Sequence, residues 1–152
     1  MKHQLELLAE EIPQYSIRLV RERQVDGPLI LAPMSATEAA TEILQDYDRE
    51  VFLALFLKTS GQLCGFSICH VGSLSETTVR VADVFKAAIL SNAGAVIFCH
   101  NHPSGNPEPS REDISMTKTL VSAGRIIGIP VRDHLIITSR GTYTSLAERG
   151  LI

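Results

Sequence analysis

The sequence predicts an α/β domain: a mixed β-sheet with flanking helices. Three observations predict it. Amphipathic helical patterns alternate with short apolar runs, the order that builds layers of sheet and helix. The runs at 51–57 (VFLALFL) and 95–99 (AVIFC) are continuously apolar over strand length, as strands covered on both faces are. An early pair of runs joined by Lys58-Thr-Ser-Gly61 reads as a hairpin, so the sheet mixes antiparallel with parallel neighbours.

Each element has its own grounds. Residues 4–11 suit a short helix ended by Pro13, and 16–23 (SIRLVRER) alternate partially, as a strand does. With the punctuation at Gly27-Pro28 and Pro33, they form an N-terminal extension, 1–34, ahead of a domain at 35–152. Ser35-Ala-Thr-Glu38 reads as a capping box, Ser35 accepting from first-turn amides and Glu38 reaching back. The helix it opens runs to about Asp46, with Ala39, Ala40, Ile43, Leu44 and Tyr47 on one stripe. The strand 51–57, the turn and a returning strand at 62–71 follow, then a loop through Thr78. Asp83 caps a helix carrying Val84, Phe85, Ala88 and Ile89, closed by Asn92 and Gly94. The strand 95–99 delivers His100 at its C-terminal end, and a polar loop with three prolines leads to Ser110. Ser110 opens a helix to about Ile127. Gly128 falls where a left-handed cap belongs, and Pro130 prevents continuation. A strand at 131–138 and a short segment at 143–146 complete the order.

Composition narrows the function classes. The chain has 152 residues, a net charge of −3, 45% hydrophobic and 20% charged residues. That excludes a disordered chain and suits one domain with a real core. Cys64, Cys69 and Cys99 are an odd number on apolar segments, so they read as reduced core residues of a cytoplasmic protein. No apolar run approaches the roughly 20 residues that span a bilayer, and the acidic N-terminus is not a signal peptide. A mildly acidic balance argues against tight nonspecific nucleic-acid binding.

The segment from Cys99 to Asp113 carries the chemistry. His100 and His102 are two apart, so in an extended chain they share a face roughly 6.5 Å apart. Two such imidazoles can converge on one metal ion. In a helix opened by Ser110, Asp113 lies on the stripe of Leu120, Val121, Gly124 and Ile127, with Ile114 at its edge. An inward carboxylate needs a partner, because an unpaired buried charge is very costly. An ion held by two histidines is such a partner. The set leaves a fourth position for water, as catalytic zinc sites do. Plainer readings also fit each piece alone: a polar turn for the histidines, and a simple helix cap for Ser110-x-x-Asp113. They do not explain why the two occur together.

His-x-His, seven residues, Ser, two residues, Asp resembles the JAMM signature of the MPN/JAB metallopeptidase-like family. HNHPSG, PEPSREDI and the later Asp133-His134 resemble its RadC branch, over roughly residues 35 to 150. The resemblance implies a JAB/MPN, cytidine-deaminase-like architecture and an activity against peptide or isopeptide bonds. It implies zinc ligation by His100, His102 and Asp113, and a Ser110 that bonds the bound water or steadies the oxyanion. It also implies a general base upstream, which falls at Glu50. Asp133-His134 falls near the site, where Asp133 can orient His134. Longer relatives carry an N-terminal region resembling a helix-hairpin-helix; at 152 residues this chain is expected to lack it.

Rivals weigh less. The literal His-Asn-His is not the dispersed motif of HNH nucleases. The H-x-E with P-C-x-x-C of zinc deaminases and the H-E-x-x-H of thermolysin-like sites are absent. The second hypothesis is a DNA-repair-associated or mobile-element accessory protein whose metal site is structural or partner-binding. The RadC resemblance implies the link with DNA repair; the sequence itself adds only Arg111, Lys118, Arg125, Arg132 and Arg140, and scattered charge is usually solvation. Apolar edge strands allow a homodimer. Selectivity is expected to reside in the loops at 72–79 and 103–109. Asn101 points away from the ligand face and receives no chemistry, and Cys99 is expected to face the opposite core.

Overall fold

The computed structural model describes residues 27–73 and 79–152, so the expected helix at 4–11 and strand at 16–23 lie outside it. In chain order the elements are α1 (Pro33–Leu44), β1 (Val51–Leu57), β2 (Leu63–Val71), α2 (Val81–Leu90), β3 (Ala95–His102), α3 (Arg111–Ile127), β4 (Val131–Thr138) and β5 (Tyr143–Ser145). One mixed sheet runs β2-β1-β3-β4-β5; only the β3–β4 neighbours are parallel. The hairpin turn closes through the Gly61 amide donating to the Lys58 carbonyl, with Gly61 at φ 87°.

β1 is buried along its whole length because both of its faces are covered. Val51, Leu53, Leu55 and Leu57 join Ala95, Ile97 and Cys99 of β3 against Ala36, Ala40 and Leu44 of α1. Phe52, Ala54 and Phe56 join Val96 and Phe98 against Val84, Phe85 and Ala88 of α2 and Met116 and Leu120 of α3. The strict alternation along β1 and β3 divides the side chains between two cores. It also sends Cys99 to the α1 face, as expected, while His100 falls on the α2–α3 face.

Several boundaries differ from the sequence expectation. α1 begins at Pro33, with Ala32 as its extended N-cap, so Ser35 is the third helical residue and not the cap. Proline suits the first helical position because its fixed φ is already helical and its missing N–H loses nothing there. The Ser35 hydroxyl instead reaches back, donating to the Ala32 carbonyl at 2.8 Å. α1 stops at Leu44, and Tyr47 beyond it is exposed. Asp83 lies inside α2 and pairs with Lys86 at 3.1 Å; the N-cap is Arg80. Ile89 is exposed on the outer face of α2. In α3 the buried stripe is Asp113, Met116, Thr117, Leu120 and Gly124. Val121 is half-buried and Ile127 exposed, because these side chains face outward from that stripe.

Gly124 is where α3 meets its own C-terminal turn. Gly128 caps the helix in the left-handed region, φ 82°, and the Gly128 and Ile129 amides both donate to the Gly124 carbonyl. A Cβ at 124 would lie 2.6 Å from the Ile129 carbonyl oxygen. Gly124→Ala in an open helix would stabilise by about 1 kcal/mol. Here we expect destabilisation of about 1–3 kcal/mol, read from urea unfolding; a gain would show that the turn yields freely.

The three cysteines are free. Among the described residues no helix is long and apolar enough to cross a membrane.

Candidate metal centre

β3 outruns its partner β1 at the C-terminal end, and the last residues of β3 form the site. Phe52 is the β1 residue paired with His100, so Asn101 and His102 project beyond that ladder. α3 then returns its N-terminus to the same rim. His100, His102 and Asp113 thereby present one donor atom each, all within 4.8 Å of one another. His100 Nε2 lies 2.7 Å from His102 Nε2 and 3.5 Å from Asp113 Oδ1. His102 Nε2 lies 3.8 Å from Asp113 Oδ2.

Ser110 and Asp113 are both cap and site. The Asp113 amide donates to Ser110 Oγ at 3.0 Å, closing the first turn of α3. The Ser110 amide and hydroxyl both donate to Asp113 Oδ2, at 2.8 and 2.7 Å. The carboxylate is thus anchored through one oxygen, with Oδ1 turned toward His100. The arrangement that caps the helix leaves Asp113 Oδ1 facing His100.

The histidines are oriented from behind. His102 Nδ1 lies 2.8 Å from the Asn106 carbonyl, so that nitrogen carries the proton and Nε2 keeps its lone pair. His100 Nδ1 lies 2.8 Å from His134 Nε2, and His134 Nδ1 lies 2.6 Å from Thr117 Oγ1. Burial lowers the His100 pKa to about 4, against the opposing pull of the Asp113 charge. Burial, with His100 and His102 nearby, holds His134 well below the ordinary histidine range. Both rings are therefore neutral at pH 7, the state a metal ligand requires. Two imidazole nitrogens and a carboxylate suit zinc or a similar borderline ion, and a hydrogen bond behind each ring is the usual support of metal-ligating histidines. His100, His102 and Asp113 can hold a metal ion.

Glu50, His102, Ser110 and Asp113 line one cavity of about 330 Å³. A second cavity, about 320 Å³, opens on the other side of His102 between Leu44, Tyr47, Pro103 and Ile137. Asn101, given no chemistry by the sequence, clamps the chain on either side of Glu50. Its Oδ1 accepts from the Val51 amide at 2.7 Å, and its Nδ2 donates to the Arg49 carbonyl at 2.9 Å. The amide side chain substitutes for a ladder that β1 is too short to supply. Asn101→Ala is expected to lower stability by about 1–2 kcal/mol. It should speed hydrogen exchange at the Val51 amide while metal binding persists; unchanged exchange would show the clamp to be idle.

Asp133 does not orient the His134 ring. It accepts from the His134 and Ala147 amides, at 2.7 and 3.0 Å, and from the Ser145 hydroxyl at 2.6 Å. It ties the C-terminal segment to β4. His70 lies in β2, opposite Phe52 of β1. Thr117 is the site residue that sequence reasoning passed over; His134 lies near the site as expected, but its ring is held by Thr117 and His100, not by Asp133. The available signal was Thr117 four residues after Asp113 on the buried stripe, with a histidine leading an apolar strand.

A triad that can hold a metal ion, at the rim of a helix-covered mixed sheet, is consistent with a JAB-type α/β domain. The chain belongs to the family of RadC-like JAB domains, whose model matches residues 30–151. It is similar to a UPF0758 protein of Salinibacter ruber, 47% identical over 137 residues, covering 89% of this chain and 58% of that protein. A UPF0758 protein of Desulforamulus reducens is 46% identical over 124 residues, covering 82% of this chain and 54% of that protein. One of Shouchella clausii is 42% identical over 133 residues, covering 88% and 57%. The chain spans about half the length of these relatives.

Proposed function

We propose that the domain is a zinc-dependent hydrolase of peptide or isopeptide bonds. The observation that carries the reading is the cavity shared by Glu50, His102, Ser110 and Asp113, where an acidic residue outside the candidate metal triad lines the same space as two of its members. Zinc held by His100, His102 and Asp113 would supply Lewis acidity, bringing the pKa of a coordinated water toward about 7. Glu50 would serve as the general base, holding a proton at its carboxylate. In net hydrolysis water would add across the C–N bond, its oxygen to the carbonyl carbon and its protons to the acid and amine products, with Glu50 passing one proton to the leaving amine. Asn101 holds the backbone on both sides of that base. Ser110 keeps Asp113 in place and reaches an oxyanion only by turning its hydroxyl from Oδ2.

The test is cleavage of labelled casein and of a peptide joined through a lysine isopeptide bond, by the purified chain with one equivalent of zinc. Zinc-dependent release of new amines is expected. A folded, zinc-loaded chain that cleaves neither probe would sink the reading. It would favour the accessory role, for which Arg111, Lys118 and Arg125, spaced seven apart on the exposed face of α3, are the supporting feature. Tight, salt-sensitive DNA binding would support that second reading.

A further inference from the structure

Hydrogen bonds behind the site form a chain with only one consistent direction. Thr117 Oγ1 lies 2.5 Å from the Asp113 carbonyl oxygen. Two oxygens that close require a proton between them, and only the Thr117 hydroxyl has one. The same hydroxyl must then accept from His134, so His134 Nδ1 carries the ring proton. His134 is fully buried, and among the described residues its ring nitrogens meet Thr117 and His100 and no carboxylate, so the ring is neutral and its Nε2 bears a lone pair. His100 Nδ1, 2.8 Å away, must be the donor to it. That leaves the His100 lone pair on Nε2, the atom facing His102 and Asp113.

We infer that Thr117 and His134 are positioning residues that set which His100 nitrogen binds the metal and tie that histidine to the helix carrying Asp113. The inference rests on the reading that the triad holds zinc. The wiring joins two ligands from different elements, β3 and α3, through a third, β4. Ligand spacing is then maintained by buried groups that never touch the ion.

The test is a zinc competition titration of the full chain against a chromophoric chelator, with nitrogen-15 NMR of the histidine rings. Thr117→Val keeps the side-chain shape and removes the hydroxyl; Thr117→Ser keeps the hydroxyl. T117V is expected to weaken zinc binding about 10–100-fold, the usual loss when such an outer partner is removed, and T117S to restore it. In the zinc-loaded wild type, His134 should carry its proton on Nδ1, and His100 should bind through Nε2. Wild-type affinity in T117V, or His134 protonated on Nε2, overturns the wiring. If T117V does not fold, the wild-type tautomer decides alone. A wild type that takes up no zinc overturns the metal reading itself. A zinc-binding chain without hydrolysis leaves the wiring standing and fails only the proposed activity.

Discussion

His102→Ala and Asp113→Ala are expected to purify with little or no zinc, where the wild type holds about one ion per chain. Structural zinc binding is worth roughly 10 kcal/mol or more. Spread over three ligands, that is about 3 kcal/mol each, or roughly a hundredfold in affinity per ligand lost. Asp113 needs a second variant, because the Ser110 amide and hydroxyl both bond its Oδ2 and Asp113→Ala also unties the start of α3. Losing that reciprocal cap alone should lower stability by about 1 kcal/mol. Asp113→Asn separates the two effects. Its carbonyl oxygen still accepts from Ser110, so metal-free stability should stay near wild type, while the lost charge removes most of the zinc. Elemental analysis beside thermal unfolding checks both. Full zinc in Asp113→Asn would mean that the carboxylate is only a cap.

Glu50→Gln should give the opposite pattern: zinc retained at the wild-type level, fold intact, and hydrolysis reduced by about 10²–10⁴, the usual contribution of a positioned general base. The substitution keeps size and hydrogen bonding but removes the ability to take a proton at neutral pH. Glu50 is half-buried at the head of β1, and its carbonyl accepts from the Gly72 amide at 2.8 Å, so its backbone is held whichever side chain it carries. Turnover and zinc content should be measured on the same preparation. Undiminished hydrolysis in Glu50→Gln would remove Glu50 from the mechanism.

The two expectations divide the site into a binding part and a proton-handling part, and these differ in how visible they are in sequence. His100, His102, Ser110 and Asp113 lie within fourteen residues, and strand and helix periodicities relate them directly. Glu50 is fifty residues upstream, and only a family resemblance singles it out. No local pattern connects it to the cavity that it shares with Asp113.

What the sequence alone determined is what local physics decides. Continuous apolar runs made β1 and β3 buried strands, and Gly128 with Pro130 ended α3, because burial pattern and backbone conformation depend on a few neighbouring residues. The cluster of His100, His102 and Asp113, which can hold a metal ion, belongs to the same class. Starts of helices depend on more than cap type: Ser35 and Asp83 are good caps by type, yet the N-caps of α1 and α2 are Ala32 and Arg80. Tertiary structure alone decided the rest. The parallel pairing of β3 with β4 sets Phe98 opposite His134, which brings His134 Nε2 to His100. The overhang of β3 past β1 gives the Asn101 amide the Arg49 and Val51 backbone to hold. Both contacts depend on strand register between segments thirty to fifty residues apart. Register is set by the packing of a whole sheet between two helical layers, and no short stretch of sequence carries that information.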